Sequence, residues 1–579
     1  MIKDKYIEKL DKVLLNKQVV LKEVNKLSTL RIVMFLCITV FFLLMIVSYW
    51  FSIIGVISLG CFIYFIIKYK KENYKLREYL FLEEVYNEYL KRLDGTWISF
   101  SDSGKDLNYE SFLKELDVIG DYSLFKYISV CKTPQARKDL INKLLNKEIE
   151  KTKQIESIEI IKAIKEEEFA FGFEAKVKEF VYETQDTNIS SNLNLFENKF
   201  KLKLLYCILG GIFSSMFIGG VVLFSFGIID IYLLLLIYLI CLAYSIFLGS
   251  KYKDALAIIF KINTIYGSIS ILTSYLKNIS SKNSKLNSIF KNCNENNNSL
   301  KRTFKYIELF KSLYKNLLSY LVFGPIFFIV LIIVWFYSKN EKKFNCLKKI
   351  VHDVEWLQVM TSLAIISNTK EKTNSPSYNN SSGINVKNIY HPLLIETKAI
   401  SNDFNSKNEI NMLTGSNMAG KTLFLKTIGL NLVLCYAGAY VCAEEFSCCY
   451  YKLYTSIGIV DNISSGISTF LAEVLRIKEI VNSNNKSVLV LIDELFKGTN
   501  AQDRIIGGLK VIESLKKLSF LSIITTHDKE FCMVENVNNY HFTEDLDKED
   551  IVFDYKLKNG ILEQTNALKI LKREGIYEK

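Results

Sequence analysis

The chain has 579 residues, a formal charge of +12, 50% hydrophobic residues and positive mean hydropathy. That length calls for two to four domains and puts no limit on core size; the apolar residues must be concentrated locally for a chain that is also 23% charged. Twelve scattered cysteines, with no CxxC pair accompanying a histidine at zinc-site spacing, read as reduced, mostly buried thiols, while the positive charge suits either an anionic membrane surface or nucleic acid.

In chain order, a lysine-rich stretch of about thirty residues precedes the first apolar run, which is no pattern for a cleaved signal, so secretion is not expected. From Ile32 to Ile67 no Lys, Arg, Asp or Glu interrupts the sequence. About twenty helical residues cross a bilayer core, so this run predicts two short crossings joined by a turn near Tyr49 to Ser52, within a first unit spanning 1–71. Residues 72–203 are charged and helical in pattern, with Glu-Lys pairs around Lys143 to Lys165 that read as solvated faces. A second apolar run, Leu204 to Leu248, holds a single acid, Asp230, beside Gly227, where a second hairpin (204–249) would turn. Lys22, Lys26, Arg31 and Lys68, Lys70, Lys71 flank the first run, and Lys199, Lys201, Lys203 and Lys251, Lys253 flank the second. Both ends of each hairpin therefore read as cytoplasmic, as a multi-pass protein of the cell membrane requires.

Residues 250–368 resume the helical pattern, interrupted by an Asn/Ser/Lys-rich stretch at Ser280 to Ser299 read as a loop. The third apolar run, Leu317 to Tyr337 (317–337), is long enough for one crossing but contains Gly324-Pro325 and has lysines on both sides. A core helix, a re-entrant segment or an interfacial helix suits it better than a fifth span. Residues 369–383 are a polar linker, and 384–579 form the last unit, which an even number of crossings leaves in the cytoplasm. The fold class expected is therefore mixed: an all-α body with membrane hairpins, followed by an α/β nucleotide-binding domain of the P-loop type.

In that last unit Gly415-Ser416-Asn417-Met418-Ala419-Gly420-Lys421-Thr422 fits GxxxxGK[ST], after the apolar stretch Ile410 to Leu413 and before a helical run, Leu423 to Leu434. Such a loop turns backbone N–H groups toward phosphates; Lys421 would meet the β/γ oxygens of ATP and Thr422 would ligate Mg2+. Ser487 to Glu494 is a strand buried on both faces that ends in two acids. Asp493 would hold the metal, and Glu494 would orient or deprotonate the attacking water. A third strand, Phe520 to Thr525, ends in Thr526-His527-Asp528, which brings His527 to the γ-phosphate end of the same crevice.

Taken in order, T-G-S-N-M-A-G-K-T, D-N-I-S-S-G-I-S-T-F-L-A-E (Asp461 to Glu473), L-I-D-E-L-F-K-G-T-N (Leu491 to Asn500) and T-T-H-D (Thr525 to Asp528) resemble the ATPase domain of the MutS family. The likeness extends to His391-Pro392 and Asn402-Asp403 upstream and to Tyr555, Gly560 and Thr565-Asn566-Ala567 downstream. It is weaker at L-D-V-I-G-D-Y-S-L-F and T-P-Q-A-R-K-D-L, between Leu116 and Leu145, which resemble the start of that family's helical core. The resemblance implies a homodimer in which each nucleotide site is completed by the partner through Ser465, Gly466, Ser468 and Thr469. Those four also suit an ordinary helix start before Phe470.

Two departures bear on turnover: Ile467 stands where the family commonly has arginine, and Lys497 where it often has arginine. Mismatch readers of the family carry an N-terminal domain with a Phe-x-Glu wedge. Here the chain opens on a helix and an apolar hairpin, and Phe81-Leu82-Glu83, in a charged helical segment, reads as a chance match. The second hairpin falls where the family inserts its DNA clamp. A membrane hairpin in place of that clamp is one expectation; a DNA-binding protein of the mismatch-repair type, tethered to the membrane, is the other. ABC-type transport is disfavoured because no LSGGQ-like helix start occurs.

Overall fold

In the computed structural model the described residues are 2–44, 50–107, 109–145, 150–166, 169–184, 203–379, 383–407, 409–416, 419–458, 469–483, 485, 487–547 and 550–562. The chain opens with two long antiparallel helices, α1 (Ile2–Leu44) and α2 (Phe51–Leu93), each roughly 65 Å long at 1.5 Å per residue. Their near ends bury Tyr6, Val85 and Tyr89, whereas Phe35, Leu36 and Val40 on α1 and Ile53, Val56, Ile57 and Ile63 on α2 are exposed. One pair of helices thus passes from an ordinary core into a shaft whose surface is hydrocarbon.

A helical body comes next, built from α3 (Ser111–Glu115), α4 (Leu124–Ile128), α5 (Pro134–Leu145), α6 (Lys151–Glu166) and α7 (Phe169–Thr184). The helix α7 lies antiparallel on α2: Arg77 pairs with Glu183, Lys178 reaches Glu84 and Glu88 at 2.5 and 2.6 Å, and the Tyr89 hydroxyl donates to Glu174 at 2.6 Å. Rings of Tyr6, Tyr86 and Tyr89 close around Phe171 at centroid distances of 4.6–5.3 Å. Phe81 and Glu83 face Tyr182 and Lys17 respectively, within this helical packing.

The second apolar run forms α8 (Leu204–Ser225) and α9 (Ile231–Lys251), joined through Gly227 at φ 71°. Polar side chains and small residues hold its two helices together and tie them to the third apolar run: the Tyr244 hydroxyl donates to the Tyr206 carbonyl at 3.0 Å, and Ser245 meets the Tyr320 hydroxyl at 2.9 Å beside Gly324. After a break at Tyr252 the chain continues as α10 (Lys253–Lys277). Among the described residues five helices are long and apolar enough to cross a membrane: α1, α2, α8, α9 and α10. The apolar windows of the first four are at most 17% buried, that of α10 56%, so α10 is a core helix and the first four present their apolar faces outward.

The helix α10 runs in the same direction as α2. Tyr74 of α2 shares a cavity with Asn263, Tyr266 and Ser270 of α10. Further along both, Tyr275 donates to the Phe169 carbonyl of α7, whose next turn bonds Tyr89. Because each apolar hairpin feeds the start of one of these two helices, both hairpins leave the body at one end.

The stretch Ser280 to Ser299, expected as a loop, is instead largely helix: α11 spans Ser284–Lys315. Asn283 caps it, its side chain accepting from the amides of Lys285 and Leu286. Leu286, Phe290, Cys293, Leu300, Phe304 and Ile307 recur at helical spacing and are buried. The third apolar run is not one continuous helix but a bent pair, as a re-entrant segment or a broken span would be. It divides at Phe328, at φ 41°, into α12 (Leu317–Phe327) and α13 (Ile329–Lys339), which meet at 87°. Leu317, Leu318 and Val322 of α12 are exposed, whereas Ile329, Val330, Ile333 and Val334 of α13 are buried.

From there α14 (Glu341–Thr369) returns to the C-terminal domain. Its last turn meets the beginning of the chain: the Tyr6 hydroxyl of α1 donates to the Asn368 carbonyl at 2.6 Å, and Thr369 bonds Tyr127 at 2.8 Å.

The C-terminal domain has two sheets. A four-stranded sheet has the order β1-β5-β2-β3 (Ser377–Tyr378, Glu445–Cys448, Ile384–Ile389, Asn402–Ser406); its first strand lies in the segment expected as a linker. A six-stranded sheet has the order β10-β9-β4-β8-β7-β6, with β4 at Ile410–Thr414, β6 at Lys452–Ser456, β7 at Val488–Asp493, β8 at Leu521–Thr525, β9 at Val537–Asp547 and β10 at Asp550–Asn559. All its pairings are parallel except β9 with β10. Every residue of β4, β7 and β8 is buried, as a sheet covered on both faces demands. Helix α15 (Lys421–Tyr436) succeeds β4 and is buried almost all round; α16 (Thr469–Val481), α17 (Ala501–Lys517) and α18 (Lys529–Cys532) complete the domain.

Candidate functional site

The carboxyl ends of three adjacent parallel strands set the site. In register, Leu413 of β4 pairs with Thr525 of β8, and Thr525 with Asp493 of β7. The chain leaves β4 through Gly415 (φ 150°) and enters α15 through Gly420 (φ 106°). A Cβ on Gly420 would come within 3.0 Å of the Tyr555 ring, so a larger residue is opposed by both conformation and space.

Lys421 is buried, and its ammonium donates to the carbonyls of Gly415 and Ser416 at 2.7 and 3.0 Å, folding the side chain back along the loop. Its Nζ also lies 3.1 Å from His527 Nε2, which in turn lies 3.4 Å from Glu494 Oε1. Thr422 and Thr525 both donate to Oδ1 of Asp493, at 2.9 and 2.8 Å, and Lys497 approaches its Oδ2 at 3.3 Å. Asp493 is buried; ionised, it needs this set of donors to offset its lost hydration.

Glu494 sits just past the end of β7 in the left-handed region, at φ 59°, and so does Phe496 at 58°. Two departures of this kind so close together cost energy and concentrate where a side chain must be aimed. The Glu494 amide is tied to the Thr525 carbonyl and hydroxyl at 3.2 and 3.1 Å. The bond from His527, then Lys497 and Lys421 nearby, hold the Glu494 carboxyl below the usual range against the opposing effect of burial. It is ionised at neutral pH.

Lys421, Thr422, Asp493, Glu494 and His527 therefore converge, with Gly415, Ser416, Ala419 and Gly420 shaping the loop beside them. Asn417 and Met418 lie outside the described residues, as do Ser465, Gly466, Ile467 and Ser468; Thr469 begins α16, its backbone alone described. Thr525 is a functional candidate that motif reading passed over: it stood in the quoted T-T-H-D only as the end of a strand, and its hydroxyl matters because the parallel register sets it against Asp493.

A cavity of about 270 Å³ adjoins the loop, lined by Ile389, His391, Asn402, Gly420, Phe424 and Tyr555 among others. Burial, with Lys426 and Lys370 nearby, pushes His391 down to about 3; the ring is neutral, its Nδ1 accepting from the Leu393 amide at 3.3 Å. In sequence these positions were marked only by His391-Pro392, Asn402 and Tyr555, which are scattered over more than 160 residues and have no local pattern.

The helical body grips this domain through the segment around Leu116. Lys426 of α15 pairs with Asp117 at 2.6 Å, and Glu115 accepts from the Thr455 hydroxyl at 2.6 Å and from the Ile457 amide at 3.2 Å. Gly429 of α15 faces Leu116 so closely that a Cβ there would meet its side chain at 2.6 Å.

Residues 411–579 match the family model described as MutS domain V. Similar curated proteins include MutS protein homolog 4 of Homo sapiens, 32% identical over 245 residues (40% of this chain, 26% of that protein). The DNA mismatch repair protein MutS of Persephonella marina is 29% identical over 241 residues (40% and 28%), and Endonuclease MutS2 of Pediococcus pentosaceus 30% over 211 residues (35% and 27%). The chain thus spans about a quarter of the length of the curated relatives it matches. The likeness to MutS proteins is thus carried by this C-terminal domain, where residues 411–579 match MutS domain V.

Proposed function

We propose that the protein is a membrane-anchored MutS-like ATPase, which binds and hydrolyses MgATP at sites completed across a homodimer and turns nucleotide state into movement of its helical body. The observation that carries this reading is the meeting, at the carboxyl ends of β4, β7 and β8, of two bonded sets, Lys421–His527–Glu494 and Thr422–Asp493, with Lys497 reaching toward both acids.

The loop from Gly415 to Thr422 is of the P-loop kind and cradles the phosphates with its amides at the start of α15. Lys421, folded back on its own loop, exchanges its two carbonyl partners for phosphate oxygens. Thr422 and Asp493 suit Mg2+: an alcohol and a buried carboxylate already share one contact, and hard oxygen donors are what that ion takes. Bound there, Mg2+ neutralises charge on the phosphate oxygens. Glu494, ionised and aimed by its left-handed backbone, orients the attacking water and receives its proton. His527 bridges Lys421 and Glu494 at the γ-phosphate end, and the cavity by His391 and Tyr555, with Lys398 in its wall, accepts the base. In the dimer, Ser465, Gly466, Ser468 and Thr469 of each protomer complete the other's site.

The anchor consists of the two hairpins, with the C-terminal domain on the cytoplasmic side of the cell membrane. Support comes from their exposed apolar surfaces, their common direction and the lysines at their bases. The names of the relatives favour a second reading, a membrane-tethered protein that binds mismatched or branched DNA.

ATP turnover by the full chain in detergent tests the first reading. Lys421→Ala weakens nucleotide binding, whereas Glu494→Gln binds MgATP and slows hydrolysis by about a hundredfold or more; normal turnover by Glu494→Gln removes Glu494 from the chemistry. Carbonate washing of native membranes tests the anchor. Nanomolar, structure-specific binding to junction or mismatched duplex at moderate salt favours the DNA reading.

A further inference from the structure

Beyond the residues that meet at the strand ends, Arg504 and Asp528 form a two-bonded ion pair: Arg504 Nε lies 2.9 Å from Asp528 Oδ2 and its second nitrogen 3.0 Å from Oδ1. Arg504 is on the first turn of α17, which starts just after the loop that carries Glu494; Asn500 caps that helix by accepting from the Asp503 amide at 2.9 Å. Asp528 comes directly after His527. It occupies the cap position of α18, where an aspartate ordinarily accepts from the helix amides, yet it makes no such bond. Its carboxylate is committed to Arg504.

The position of this pair along the chain matters. The amide of Thr526 makes the last sheet-like bond of this strand end, to the Leu413 carbonyl at 3.0 Å. His527 lies one residue beyond that bond and one residue before the ion pair. A guanidinium forked on a carboxylate fixes orientation as well as distance, so the loop carrying His527 is fastened to the helix that comes after Glu494. Both members are partly sheltered, with side chains 29% and 17% exposed.

We propose that Arg504 and Asp528 are positioning residues that set the His527 ring against Glu494 and Lys421, and so govern the rate of the chemical step rather than the affinity for nucleotide. This rests on the proposed hydrolysis of ATP at the same site.

The experiment is a kinetic cycle on the full chain in detergent, with MgATP as the probe. Arg504→Ala and Asp528→Asn should each lower kcat about tenfold, because small displacements of an aligned group are costly, while KM for ATP stays within about twofold. Arg504→Lys, which keeps the charge and loses the fork, should recover only part of the rate. In a His527→Ala background, Arg504→Ala should have almost no further effect, since the residue it positions is gone. Wild-type kcat in Arg504→Ala, or an undiminished loss in the His527→Ala background, overturns the clamp alone. A wild-type chain that binds MgATP and never turns it over overturns the hydrolysis reading and the clamp with it.

Discussion

Asp493 and Glu174 are both buried carboxyls with opposite electrostatic settings. Asp493 has two hydroxyls and a lysine directed at it. Glu174 accepts one bond from Tyr89, and its other oxygen has no partner among the described residues. Burial outweighs the help of Arg92, Tyr89 and Lys178 and adds to the opposition of Glu88, pushing Glu174 up to about 7. A carboxyl raised in this way contributes stability that is fully present below about pH 4.5 and is lost as pH rises through 7. Glu174→Gln removes that penalty. It should leave the thermal unfolding midpoint nearly unchanged at pH 5 and raise it at pH 8.5, by up to about 3 kcal/mol of stability at 1.36 kcal/mol per pKa unit; scanning calorimetry at the two pH values checks this. Nothing in the sequence marked Glu174, because its burial is created by the packing of α7 on α2. The residues around Lys421 were legible for the opposite reason: each motif is a short local pattern at a strand end, and the parallel register then has little freedom in bringing the ends together.

At the scale of elements, the same contrast decides which helices could be read. Half of α11 was concealed by composition: Asn287, Asn292, Asn294, Asn296, Asn297 and Asn298 read as loop residues, yet Asn283 caps the helix and an apolar line from Leu286 to Ile307 holds it in place. The run from Leu317 to Tyr337 kept its apolar character in the structure, but no count of apolar residues could locate a right-angle break at Phe328, since that depends on α13 entering the body while α12 stays against the second hairpin. The contact of α15 with the body offers a test of coupling between the two parts. Gly429→Val forces a side chain into Leu116 and should destabilise the chain by about 1–3 kcal/mol, as overpacking does. Combining it with Leu116→Ala should restore a substantial part, measured as the shift in the denaturant midpoint.

For the whole molecule, the two apolar hairpins leave one end of the body, and the proposed anchoring uses both. Deleting Leu204 to Leu248 should therefore leave the chain in the pelleted membrane fraction, held by Ile32 to Ile67, and release less protein than deleting both runs; complete solubility after the single deletion removes the two-anchor topology. The division of the chain into helical body and α/β domain was readable from where charge, apolar runs and motifs lie. The common direction of the hairpins was not, because it depends on α2 and α10 running side by side although about 180 residues separate them.

The bond from the Tyr6 hydroxyl to the Asn368 carbonyl has a mechanical consequence. It pins the foot of α1, whose far end lies in the first hairpin, to the last turn of α14, which follows α13. Two helices far apart in the chain thus share one joint at the entry to the C-terminal domain. A displacement of the C-terminal domain at that joint would be passed to α1, and along it toward the first hairpin.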